Sequence, residues 1–228
     1  MIEQIPQADL FIQRLRDCLR RETCGLRAIK IAKHKNVYTC GEPGDTVYFI
    51  ESGQVKLVMV SSEGRECIFA VHGAGEVFGE LSLSGLGERI ETATAMEETD
   101  LKVVPASKFF SLLGRASLLE GFVRYLASRL ADQQEVITQL VTADSKHRLG
   151  TTLLELARKL GKRDPDSLRL EHRITHEELS EIVGTTRPRV SAFMEQFHNL
   201  GLIETSAQHH LIVRDKELSN YLTQLASC

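Results

Sequence analysis

The sequence predicts an α+β chain in three parts: an N-terminal jelly-roll β-barrel, one long dimerisation helix and a C-terminal winged helix-turn-helix. Three observations carry this. First, between residues 29 and 105 lie short runs such as TVYFI (46–50), QVKLVMV (54–60), ECIFAV (66–71) and DLKVVP (100–105), punctuated by GEPGD (41–45), ESG (51–53), SSEG (61–64), HGAGE (72–76) and GLGE (85–88). Strands this short and this often broken belong to a sandwich or barrel rather than a parallel sheet. Second, residues 117–143 keep a helical period throughout. Third, THEELSEIVGTTRPRVSAFMEQFHNLGLI (175–203) reads as two short helices around a Gly-Thr-Thr turn.

In chain order, residues 8–28 read as a helix, with Leu10, Phe11, Leu15, Cys18 and Leu19 on its period. After the strands, 106–113 predicts a short helix. In the long helix Leu126, Leu130, Gln133, Ile137, Leu140 and Asp144 form a heptad seam with one polar member inside it and one at its end. A seam of this kind pairs with its own copy, and Gln133 suits the register-fixing polar position. Residues 145–161 form a further helix with Leu149, Leu153, Leu156, Ala157 and Leu160 on one face; GKRDPDS (161–167) is a polar turn, and LRLEHRI (168–174) a short strand. Thr175 with Glu178 makes a capping box, and Leu179, Ile182 and Val183 form a buried stripe. Gly184 supplies a left-handed C-terminal residue. Thr186 caps the second helix (187–200), whose Val190, Phe193, Met194, Phe197 and Leu200 face inward. Residues 202–215 read as a hairpin wing and 216–226 as a terminal helix. The domains are then 1–116 (sensory barrel), 117–144 (dimerisation helix) and 145–228 (DNA-binding).

Composition narrows the function classes. The 228 residues are 42% hydrophobic with a net charge of −3, ample for a core and no polycation. No run of 18 apolar residues exists, and MIEQIPQADLF lacks a basic-then-apolar leader, so a cytoplasmic protein with no membrane partner is expected. Residues 1–144 carry 16 Lys+Arg against 20 Asp+Glu, residues 145–228 carry 12 against 11, and six of the eight histidines fall in the second part. That asymmetry has the direction a C-terminal DNA-binding domain gives. No nucleophile–base constellation, metal-ligand spacing or P-loop is present, so an enzyme is not expected.

Arg187 and Arg189 open the second helix on its outer face, as a guanine-edge or phosphate contact to double-stranded DNA requires. Thr175, Thr185, Thr186, Ser191 and the wing histidines His209 and His210 are candidates for phosphate contacts that set register.

GEPGDTVYFIESGQVKL (41–57), GEVFGELSL (75–83) and EELSEIVGTTRPRVSAFM (177–194) together carry a resemblance to the Crp–Fnr family of transcription regulators, covering roughly residues 10–215. The resemblance implies a cyclic-nucleotide-binding-like barrel, a symmetric homodimer, a near-palindromic operator and contact with RNA polymerase. It implies too that an effector in the barrel alters operator affinity. It makes Arg187 the matched base reader, with Pro188 and Ala192 at two other contact positions, so the half-site differs from that of cyclic-AMP-binding members. It also makes FGELSLSGLGERIETATA (78–95) a phosphate-binding cassette, with Gly79, Glu80, Leu81 and Arg89 as effector residues, joined from the long helix by Arg129, Gln133 and Gln134. Glu80 would meet a ribose hydroxyl and Arg89 a cyclic phosphate. The cassette departs from the cyclic-AMP pattern after Arg89. Ile90 cannot donate to phosphate, and Glu91 repels an anion unless it points outward. A cyclic nucleotide, an unknown effector, or effector-independent binding with a Glu80–Arg89 ion pair closing the loop all stay open.

Two sensor readings compete. Cys18, Cys24, Cys40 and Cys67 supply four thiolates for an iron–sulfur cluster, at spacings unlike the family's compact cluster, and Cys18 with Cys24 offers a thiol switch. His72, read as an exposed turn residue, is the one candidate haem ligand. Both metal cofactors are disfavoured, and Cys228 has no assigned role.

Overall fold

The computed structural model describes residues 7–22, 26–85, 87–208 and 210–225. Cys24, His209 and Cys228 lie outside the described residues. The chain divides into two compact units, residues 1–64 with 69–135, and residues 65–68 with 136–228.

The first unit opens with helix α1 (Gln7–Arg21), which buries Phe11, Leu15 and Leu19 along one stripe. Leu10 is half-exposed, one position off that stripe. The helix stops seven residues short of the expected 28, because Arg27–Ile31 (β1) pairs antiparallel with Thr99–Pro105 (β8), Arg27 opposite Val103. Tertiary pairing overrides local helical period here. Six more strands lie between them: β2 (Asn36–Tyr38), β3 (Thr46–Ser52), β4 (Val55–Val60), β5 (Glu66–His72), β6 (Val77–Phe78) and β7 (Thr92–Ala95). They make two four-stranded sheets, β1-β8-β3-β6 and β2-β7-β4-β5. The N-terminal region is therefore a two-sheet sandwich rather than a closed barrel.

Helix α2 (Ala106–Arg115) and the first turns of α3 (Leu119–Thr142) close one core. Phe109, Leu112, Leu113, Phe122 and Tyr125 pack there on Val47, Phe49, Val77, Val104 and the α1 stripe. Between the sheets a second cluster holds Tyr38, Tyr48, Ile50, Val55, Leu57, Phe78, Ala93 and Leu101. Burial pushes the Tyr125 phenol up to about 12. The stabilising contribution of its neutral form is full below the ordinary tyrosine value of about 10 and is lost as pH rises through about 12. Melting temperature followed by circular dichroism should therefore fall across that window. A melting temperature that is flat from pH 9 to 12 would contradict the burial of this hydroxyl.

Beyond Tyr125 the long helix leaves its apolar side chains uncovered: Leu130, Val136, Ile137, Leu140 and Val141 are all exposed, as are Leu119 and Val123 before it. Leu126 is half-buried against the first core. The seam ends at Leu140. Asp144 is not its last member, because α3 stops at Thr142 and the Asp144 carboxylate caps helix α4 (Ser145–Leu160), accepting from the backbone N–H groups of Lys146 and His147 at 2.8 Å each.

In the second unit α4 buries Leu149, Leu153, Leu154, Leu156 and Ala157, with Leu160 half-buried. The segment expected as a polar turn is a strand, β9 (Gly161–Asp164), paired with β10 (Ser167–Leu170) around Pro165–Asp166. Cross-strand pairing gave these polar residues a ladder that period alone could not reveal. The wing strands β11 (Ile203–Thr205) and β12 (Leu211–Val213) pair with each other, and β12 also pairs with β10, so the wing is half of a four-stranded sheet, β11-β12-β10-β9. Helices α5 (His176–Val183), α6 (Arg187–Asn199) and α7 (Asp215–Leu225) complete the unit.

Candidate DNA interface and effector cassette

Local signals set the helix-turn-helix. The Thr175 hydroxyl accepts from the Glu178 N–H at 3.1 Å, while the Glu178 carboxylate accepts from the Thr175 N–H at 3.0 Å and from its hydroxyl at 3.0 Å. That hydroxyl is therefore engaged inside the cap. Gly184 takes φ +67, a left-handed backbone that side-chain-bearing residues seldom adopt, and ends α5. The freed carbonyls at this end are met by Arg148 of α4, which donates to Val183 O at 3.0 Å and Gly184 O at 3.4 Å. The same guanidinium donates to Ala143 O at 2.7 Å, so one side chain ties the end of α3 to the turn before α6. His176 and Ser191 share a hydrogen bond at 2.9 Å between α5 and α6.

Helix α6 presents Arg187, Arg189 and Ala192 outward, while Val190 and Phe197 are fully buried. Phe193 and Met194 are half-buried, and Leu200 is exposed because it stands past the end of α6 as its C-terminal cap. Thr186 occupies the N-cap position without a side-chain capping bond. Pro188 stands at the second helical position and has no N–H to offer it. Thr186 is exposed and Thr185 half-buried at this N-terminus. A helix N-terminus flanked by two exposed arginines is an anion-binding end.

In the first unit the cassette folds back on itself. Gly79 takes φ +75, and a Cβ there would stand 2.9 Å from Arg89 Nη1. Arg89 is 4% exposed and donates to Gly79 O at 3.0 Å, Thr46 O at 2.8 Å and the Thr46 hydroxyl at 2.8 Å. Its guanidinium lies 4.2 Å over the Tyr38 ring. The Tyr38 hydroxyl donates to Glu91 Oε1 at 2.8 Å. Burial, with the Glu91 carboxylate beside it, pushes the Tyr38 phenol far above its ordinary range. Glu91 does not point outward. It is 1% exposed, and its Oε2 is buried without a hydrogen-bond partner.

Glu80 pairs with Arg129 at 2.8 Å rather than with Arg89, so the expected Glu80–Arg89 bridge is replaced. The reason is geometric: Arg89 is taken by backbone carbonyls on one side while Arg129 reaches in from α3. Arg129 also donates to Val77 O at 3.2 Å and meets His72 Nε2 at 3.2 Å. Arginine only donates, so that histidine nitrogen is the acceptor, and His72 Nδ1–H faces Glu76 Oε1 at 3.3 Å. Burial opposes the Arg129 charge, yet Glu80 and its neighbours hold its pKa above the ordinary value. Far from being an exposed turn residue, His72 ends β5, buried and stacked on Phe78. Leu81, Gln133 and Gln134 are exposed.

Residues 28–116 match the cyclic nucleotide-binding domain family, and residues 147–218 match the Crp-like helix-turn-helix domain family. The chain is 30% identical over 195 residues to the CRP-like cAMP-activated global transcriptional regulator of Mycobacterium tuberculosis, covering 85% of this chain and 87% of that protein. It belongs to the Crp–Fnr family. The global nitrogen regulator of Synechococcus elongatus is 29% identical, with 78% and 82% of the two chains covered. A solved CRP/FNR-family transcriptional regulator from Thermus thermophilus superposes with a TM-score of 0.70 at 26% identity, over 86% of this chain and 98% of that one.

Crp–Fnr membership fits the two folded units and the helix-turn-helix, but a cyclic phosphate does not fit the cassette as arranged. The terminal nitrogens of the arginine that would take it are engaged by Gly79 and Thr46, leaving only its buried Nε without a partner, and the Tyr38 ring beneath it holds a buried carboxylate on its hydroxyl. For the metal readings, Cys18 is half-buried against the first core, while Cys40 and Cys67 are exposed in a turn and on β5. No group of three metal-ligating side chains stands together among the described residues, and none of the described helices is long and apolar enough to cross a membrane. Sequence reasoning missed Thr46, Tyr38, Glu76 and Arg148. Three of them act on partners more than 30 residues away, which no local spacing encodes; Glu76, four residues after His72, was within reach of a spacing argument.

Proposed function

We propose that this Crp–Fnr protein is a homodimeric regulator that binds a near-palindromic promoter site in double-stranded DNA and acts there on RNA polymerase, in the cytoplasm and without catalysis. Residues 1–116 form the sensory region, 117–144 the dimerisation helix and 145–228 the DNA-binding domain. The observation that carries this is the exposed N-terminal turn of α6, where Arg187 and Arg189 stand free of the core behind a glycine-closed turn. The uncovered seam of α3 supports pairing of two chains, which sets two recognition helices one DNA turn apart. Thr185, Thr186 and Ser191 border the same end and set register on phosphates, whereas Thr175 spends both its hydroxyl and its N–H on Glu178 in the cap of α5. Operator binding needs no cyclic nucleotide in this reading, because both terminal nitrogens of Arg89 are already engaged by Gly79 and Thr46, with only its buried Nε left without a partner.

Selection from a randomised duplex library by the purified protein, with no nucleotide added, should enrich a two-fold symmetric site. Failure to enrich any site, with or without cyclic AMP or cyclic GMP, would reject the reading. On the selected site Arg187→Ala should relax discrimination at one base pair by about 1–3 kcal/mol. Equal weakening on every duplex would make Arg187 a phosphate contact instead.

A further inference from the structure

We infer that Glu91 is the residue that closes this cassette to anionic effectors. This deepens the effector-independent part of the proposed function. The charges around the cassette meet partners from within the chain. Arg129 has Glu80 at 2.8 Å, with Glu76 reaching it through His72. Arg89 lies 4.2 Å over the face of the Tyr38 ring, and Glu91 accepts from the hydroxyl at that ring's edge at 2.8 Å. Arg129 therefore faces two carboxylates, Glu80 and Glu76, before any ligand arrives, and a third, Glu91, is reached from Arg89 through Tyr38. A cyclic phosphate approaching Arg89 would meet a carboxylate that solvent cannot screen.

The space is filled as well as charged. Tyr38, Tyr48, Phe78 and His72 form a run of ring contacts, with Tyr38–Tyr48 tilted at 5.6 Å, and Tyr48–Phe78 at 5.0 Å and His72–Phe78 at 6.4 Å stacked. Arg89 lies over two of those rings, 4.2 Å from Tyr38 and 5.5 Å from Tyr48. The carboxylate keeps this arrangement shut, since it is the acceptor that holds the Tyr38 hydroxyl in place. Glu91 Oε2 is buried without a partner, a polar atom held there at a cost to the fold.

Calorimetric titration of the full chain with cyclic AMP and with cyclic GMP tests this. The natural protein should give no saturable heat at millimolar nucleotide. Glu91→Gln keeps the shape and an acceptor for Tyr38 while removing the charge, and Glu91→Ala also removes the volume. Each should gain saturable binding, at least about tenfold tighter than the natural protein's limit, for removal of one nearby unit charge. Adding Arg89→Leu should abolish the gain. Saturable binding by the natural protein would overturn the inference. So would silence from both Glu91 variants with native melting curves, or a gain that survives Arg89→Leu. The titration involves no DNA, so a failed duplex selection would reject the proposed function and leave this result standing.

Discussion

Leu130→Glu combined with Ile137→Glu is expected to leave the protein monomeric and to weaken operator binding by about a hundred- to ten-thousandfold. Both side chains lie on the α3 seam and are exposed in the single chain, Leu130 at 57% and Ile137 at 60%. A seam of Leu and Ile at heptad spacing is stabilised by burial against a second copy, each large side chain contributing about 1.5–3 kcal/mol. Four such side chains meet in a dimer, and four glutamates at the same place would repel. The folded single chain loses little, because surface positions away from packing tolerate charge within about 0.5 kcal/mol. A monomer binds one half-site and forfeits the effective concentration that links the second. Sedimentation would read the mass and a duplex titration the affinity. A dimer persisting in the double variant would place the interface elsewhere and remove the reason for a palindromic site.

What was legible in the sequence had local causes. The Thr175–Glu178 box and the glycine ending α5 are each set by residues within a turn or two of one another and stand where spacing put them, while the heptad of α3 loses its last expected member, Asp144, to the cap of α4. What was illegible was set from a distance. Arg27 and Ala28 read as helix until β8 offers β1 a ladder. GKRDPDS reads as a turn until β10 pairs it. The cassette residues Gly79, Glu80 and Arg89 were identifiable from their motif, but their partners were not. Arg89 takes the Thr46 backbone carbonyl, a group every residue has, so no residue type announces it. His72 was misread for the same reason. Its surroundings are an arginine 57 residues later and an aromatic stack, neither visible from the turn sequence around it.

The cassette is also where a single substitution should cost the most stability. Arg129→Leu is expected to destabilise the first unit by about 3–5 kcal/mol, the cost of leaving a buried partner charge uncompensated. Glu80 would lose the cation paired with it at 2.8 Å, with side-chain exposure of just 11% and with Oε2 already lacking a partner. The Val77 carbonyl and His72 Nε2 would lose a donor in the same step. Leucine fills the aliphatic part of the site, so the loss reads as charge rather than volume. The control follows from that distinction. Glu80→Gln in the Arg129→Leu background removes the stranded charge and should recover a good part of the loss, whereas the same change in the natural chain should destabilise it by stranding Arg129. The two singles and the double close a cycle whose interaction energy isolates the pair. Chemical denaturation followed by circular dichroism supplies all four values. A cost near the 0–1 kcal/mol of a solvent-screened surface pair, with no coupling in the cycle, would mean that water reaches the pair. The cassette would then be open rather than sealed, and solvent would reach the Glu91 carboxylate too.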